Sequence, residues 1–81
     1  MASKTERQQR YDYFVNEILD DVVMESEKVI KYKFDEPTKR FTIYCNNLTF
    51  DFYPTSDKIM AHGKNSWKEN GLEHLLKYIN N

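Results

Sequence analysis

The chain is 81 residues long, with 12 Lys+Arg against 13 Asp+Glu and a formal net charge of −1. A length of this order builds one small core, which by the small-domain rule supports roughly 3–5 kcal/mol of stability. The charge balance gives no global pull toward nucleic acid or an anionic membrane, no apolar run approaches spanning length, and Cys45, the single cysteine, excludes an intramolecular disulfide.

In chain order, Ser3-x-x-Glu6 has the form of a capping box. Tyr11, Phe14, Val15, Ile18, Leu19 and Val22 follow at helical spacing, which predicts a helix from about residue 4 to about residue 26. A strand over about 29–34 comes next, in which Ile30, Tyr32 and Phe34 alternate with Lys31 and Lys33. Strands over about 40–45 and 48–53 flank Asn46-Asn47, and Asn tolerates the positive φ that a two-residue type I′ turn requires. Pairing outward from that turn sets Cys45 opposite Leu48, Ile43 opposite Phe50 and Phe41 opposite Phe52. Every apolar residue then falls on one face, and a slip by one residue would scatter them.

The same parity pairs Phe34 with Phe41 and Tyr32 with Ile43 across the loop Glu36-Pro37-Thr38-Lys39. Beyond Pro54-Thr55-Ser56-Asp57, a strand over about 58–62 sets Ile59 opposite Phe52 and Ala61 opposite Phe50. Both prolines thereby lie in turns, where a missing N–H costs no ladder bond. His62 to Glu69 reads as a polar loop in which Trp67 covers an edge of the core. Asn70 is the expected cap of a last helix over about 71–79, with Leu72, Leu75, Leu76 and Ile79 as its apolar stripe.

These elements predict an α+β fold: a single two-layer α-β-β-β-β-α domain over residues 1–81, a four-stranded antiparallel meander with both helices on one face. The covered face would be lined by Ile30, Tyr32, Phe34, Phe41, Ile43, Cys45, Leu48, Phe50, Phe52, Ile59 and Ala61. On the opposite face the register places Lys31, Tyr44, Thr49 and His62 in one cross-strand row, and Lys33, Thr42, Asp51 and Met60 in the next. Arg40, Tyr53 and Lys58 make a third. The plain reading is a solvated face, because antiparallel sheets commonly leave one side wet. The sharper reading is a partner-binding face, with Tyr44, Tyr53 and Met60 as anchors among Arg40, Lys31, Lys33 and Lys58. A catalytic reading would use His62 as a base with Asp51 or Tyr44 nearby. Asp51 lies only diagonally from His62, and no nucleophile or oxyanion motif accompanies them, so no catalytic residue is expected.

The first helix opposes its own macrodipole, with Lys4, Arg7 and Arg10 near its start and Asp20, Asp21, Glu25 and Glu27 near its end. The acidic end is a rival docking patch for a basic protein surface. Cys45, His62 and His74 match no zinc spacing, and neither metal nor cofactor is expected. Nucleic acid is disfavoured as a partner on the same grounds. The second helix begins Asn70-Gly71-Leu72-Glu73, without the lysine cluster with which double-stranded-RNA-binding domains grip phosphates. A weak single-strand binder could still stack bases on Tyr44 and Tyr53 among Lys31, Lys33, Arg40 and Lys58.

Asp51-Phe52-Tyr53-Pro54-Thr55, then Lys58, Gly63-Lys64 and Gly71-Leu72 leading into Leu75-Leu76-Lys77-Tyr78-Ile79, resembles a pattern in small uncharacterised proteins encoded by bacteriophages. Those proteins often carry an Asp-Phe-(Tyr or Trp)-Pro-Thr turn, a basic segment and a Gly-led apolar final helix. The similarity covers residues 51–79, and Ser56-Asp57 stands where a Gly-containing turn is more usual. The resemblance implies a phage accessory protein without enzymatic activity and supplies no binding residues. The resulting expectation is a small binding protein, a monomer or weak dimer without a membrane association, that docks on a host protein. The polar stretch Met1 to Arg10 reads as no secretory signal and the single thiol suits a reducing compartment, so the expected location is the cytoplasm, that of the host cell if the protein is phage-encoded.

Overall fold

In the computed structural model, which describes residues 3–63 and 67–80, Ser3 accepts a 3.1 Å bond from the Glu6 N–H and starts the helix α1, Lys4–Tyr13. The helix continues without a break as a wider π-helical segment, Phe14–Val23, closed by the Met24 N–H donating to the Leu19 carbonyl at 2.9 Å. It therefore ends earlier than residue 26, and half of it has a different pitch. Phe14 and Val23, both buried, are nine residues apart, which at 3.6 residues per turn would set them on opposite sides of the helix; the wider pitch keeps both on the core.

Among the described residues the sheet has five strands, not four: β1 Val29–Asp35, β2 Arg40–Cys45, β3 Thr49–Tyr53, β4 Lys58–Ala61 and β5 Lys68–Glu69, in that order and antiparallel throughout. The register derived from parity is present pair for pair at Phe34–Phe41, Tyr32–Ile43, Ile43–Phe50, Phe41–Phe52, Phe50–Ala61 and Phe52–Ile59. The expected loop from His62 to Glu69 contains β5, whose Lys68 and Glu69 pair with Ile59 and Lys58. Lys64, part of the basic segment in the sequence pattern, lies outside the described residues.

Three local expectations are corrected. Ile30 is not in the core: the register shifts between Val29 and Lys31, so Val29 turns inward and is buried while Ile30 is 61% exposed. Asn46 and Asn47 do not adopt positive φ. Among the described residues the left-handed ones are Lys39, Asp57 and Asn70, each at φ 55°, besides Gly63. The first two close the two four-residue loops, which reverse the chain by placing their last residue in the left-handed region. The Asn-Asn turn is instead closed by Cys45 donating to the Leu48 carbonyl at 2.9 Å.

The cap of the last helix, α2 Gly71–Asn80, is likewise not the Asn70 side chain. Asp57, from the β3–β4 loop, accepts the Gly71 N–H on its carbonyl oxygen at 2.8 Å and the Leu72 N–H on Oδ1 at 2.9 Å. Asp57→Ala should cost about 0.5–2 kcal/mol through the lost cap and roughly 1–2 kcal/mol more through left-handed strain. Asp57→Asn, which keeps an acceptor and tolerates that backbone, should restore most of it. Urea unfolding midpoints of the two variants check this.

The helices meet the sheet through aromatic rings. Phe14 packs edge-on against Phe41 and Phe52 at 5.0 and 4.9 Å, and Tyr78 of α2 packs against Phe50 at 4.9 Å. Phe14, Val23, Phe41, Ile43, Phe52 and Leu75 form the dry centre, each at most 2% exposed. Phe34 has the expected parity but stays 39% exposed at the sheet edge, where its ring lies 4.7 Å from Phe41 and 6.1 Å from Tyr11.

Candidate recognition face

The alternation that buries Phe41, Ile43, Phe50, Phe52 and Ile59 turns Arg40, Thr42, Tyr44, Asp51, Tyr53 and Lys58 to the other side of the sheet. All seven candidate binding residues stand on this face. They form separate groups rather than one cluster.

At one end, Lys31 and Lys33 both reach over the Tyr44 ring, with Nζ 5.1 and 5.8 Å from its centroid. Two exposed ammonium groups on one half-buried ring make a small cationic–aromatic patch. In the middle, Asp51 is the hub: Thr42 Oγ1 donates to Oδ1 at 2.9 Å, and His62 Nε2 lies 2.9 Å from Oδ2. The diagonal thus brings His62 and Asp51 together, which row-by-row reading did not credit. Their chemistry is still incomplete as a catalytic pair. The Thr42 hydroxyl already donates its proton to the carboxylate instead of being drawn toward the imidazole, and Met60, paired with Asp51, is inert. Arg40 Nε stands 3.9 Å from Asp51 Oδ1, too far for a hydrogen bond, and it is buried with no acceptor among the described residues.

At the far end, Tyr53 packs against Trp67 with the rings tilted by 54° and their centroids 5.2 Å apart. This corrects the expectation for Trp67, which does not cover an edge of the core. It precedes β5, and its indole lies on the open face, 43% exposed, beside the Tyr53–Lys58 pair. Sequence reasoning missed it because β5 has no apolar alternation from which a parity could be assigned. The available signal was that a polar loop holds a Trp at all.

The other candidates are dispersed. Cys45 is in the core, where burial pushes its thiol up from the ordinary range, partly offset by the Lys28 charge. His62 is on the open face and His74 is exposed on α2, so the three potential ligands occupy different places; among the described residues no group of three or more His, Cys, Asp or Glu could hold a metal ion. Asp20, Asp21, Glu25 and Glu27 are all exposed, and the last three line a cleft of about 590 Å³ with Lys28 and Ile79. Among the described residues no helix is long and apolar enough to cross a membrane. Comparison with protein-family models, with curated proteins and with solved structures finds no match for this chain.

Proposed function

We propose that the protein is a small non-enzymatic binding protein, a phage accessory factor that docks on and modulates a host protein in the host cytoplasm. The observation that carries the reading is the Tyr53–Trp67 pair, held on the open face of the sheet with a large indole surface left to solvent. Tyr and Trp are among the residues that supply most of the energy at protein interfaces, and here Lys58 stands beside the pair, opposite Tyr53. The core does not need it, because Tyr53 alternates away from Phe52.

Tyr53→Ala or Trp67→Ala should therefore lower Tm by no more than about 4–8 °C, the equivalent of roughly 1 kcal/mol in a domain of this size. Each should weaken the partner by at least ~1 kcal/mol. The check is affinity capture from bacterial lysate read by mass spectrometry, followed by titration of the captured protein against both variants. Intact binding by both, with loss on neutralising Asp20, Asp21 and Glu25, would move the site to the first helix.

A second reading, single-stranded nucleic acid, is favoured by Lys31 and Lys33 over Tyr44, a ring on which a base could stack. Against it stand Asp35, Asp51 and Glu69 on the same face and a net charge of −1. No binding to generic DNA or RNA is expected at physiological salt. Micromolar, salt-sensitive fluorescence polarisation would replace protein docking with this reading.

A further inference from the structure

We infer that the free edge of β1 accepts an extended segment of the docked partner as an added antiparallel strand, and that this segment alternates acidic and apolar residues. The inference rests on the protein-docking reading above and specifies what part of a partner is recognised.

The edge is available along its length. β1 is the first strand in the sheet order, pairs only with β2 among the described residues, and runs for seven residues. The Cys45–Leu48 bond fixes the ladder's alternation, which turns the β2 backbone at Thr42 and Tyr44 toward Lys33 and Lys31. The N–H and C=O groups of Tyr32 and Phe34 consequently point away from the sheet, where an incoming strand can take them.

The side chains of the same strand are split by chemistry. On the open face stand Lys31 and Lys33, both exposed. On the helix side stand half-buried Tyr32 and 39%-exposed Phe34, and Ile30, unpaired at the bulge, is 61% exposed. Two large apolar residues left to solvent on a strand with one open edge form a hydrophobic rim that a covering strand would bury. An antiparallel newcomer would place residues opposite Lys31 and Lys33 in close non-hydrogen-bonded pairs, where opposite charges stabilise and like charges repel.

That charge pattern selects the occupant. A second copy of this chain, centred on Tyr32, would set Lys31 against Lys33 of the other copy, which is the arrangement edge lysines prevent. An acidic residue at each of those positions is complementary, with apolar residues between them covering Phe34 and Tyr32.

The probe is a capped pentapeptide, Val-Glu-Val-Glu-Val, titrated into the full chain and followed by amide NMR and hydrogen exchange. The expected result is saturable binding with new exchange protection at the Tyr32 and Phe34 amides. Affinity should fall at least tenfold for Val-Lys-Val-Lys-Val, and for the Lys31→Glu/Lys33→Glu variant with the acidic peptide. That variant should instead prefer the lysine peptide, which shows that it is folded. A peptide N-methylated at the amides facing β1 should not bind. Equal binding of the acidic and basic peptides, protection confined to other strands, or a dimer that buries β1 would each overturn the inference. A lysate partner lost with Trp67→Ala but untouched by Lys31→Glu/Lys33→Glu would overturn it too, while leaving the docking reading standing.

Discussion

Phe52→Ala should abolish the cooperative thermal transition. Phe52 is 1% exposed, sits between Phe41 and Ile59 across the strands, and meets Phe14 of the π segment edge-on at 4.9 Å. It also supports the start of α2, since its Cε1 lies 3.0 Å from where a Gly71 side chain would begin. Truncating a buried Phe costs about 3–5 kcal/mol. That matches the roughly 3–5 kcal/mol available to a core of this size, so far-UV circular dichroism should show a largely unfolded chain at room temperature. Phe34→Ala, at an exposed edge position of the same face, is the control and should still melt cooperatively. A Phe52→Ala melt within a few degrees of the parent would mean that the core is not centred where the register puts it.

Gly71→Ala should destabilise although Ala is the better helix former. Replacing a glycine in a helix interior ordinarily stabilises by about 0.8–1.0 kcal/mol, and Gly71, the first residue of α2, stands to gain at most that. Here the added methyl would lie 2.8 Å from the Lys58 carbonyl carbon and 3.0 Å from the Ile59 nitrogen, both backbone atoms of β4 that cannot swing aside. Overpacking of this kind costs typically 1–3 kcal/mol. A net loss is therefore expected, read as a fall in Tm of several degrees or more. Gly63 offers the contrast. It has φ 88°, and a methyl added there would meet nothing within 4 Å, so Gly63→Ala incurs only backbone strain. A rise in Tm for Gly71→Ala would show that α2 stands further from β4 than the close approach implies.

The hairpin register was legible because one-faced alternation leaves a single solution for Phe41, Ile43, Phe50 and Phe52. What escaped has identifiable causes. Val29 and Ile30 are adjacent apolar residues, and parity taken from Tyr32 and Phe34 selects Ile30; a bulge, which parity cannot see, reverses the choice. Lys39 carries no residue signal for its left-handed backbone, whereas Asp57 does. The cap on α2 comes from a loop fifteen residues upstream of Leu72, beyond any local capping rule. The π segment left a trace in the paired Val22-Val23, of which a 3.6-residue period keeps the wrong member in the core. On the candidate face, the three rows were legible, but the links from Asp51 to His62 and from Tyr53 to Trp67 depend on side-chain reach and on β5, neither of which alternation encodes.

The two ends of α2 are tied to residues far away in the chain, its first turn to Asp57 and its last to Lys28, whose Nζ donates to the Tyr78 carbonyl at 2.7 Å. α1 buries no residue; Tyr11, near its end, packs on Phe34 and Phe41 and under Lys39, while the earlier turns are linked to the loops by bonds of 3.4 Å, Arg10 to the Thr55 carbonyl and Lys39 to Gln8. The opening turns of α1 therefore belong to a different cooperative unit from α2. The amides of α2 can exchange with solvent only when the sheet opens with them, while the opening turns of α1 fray at almost no cost. Limited proteolysis should accordingly nick the chain first within Lys4–Arg10, leaving the sheet and α2 intact as one block that resists until it unfolds globally.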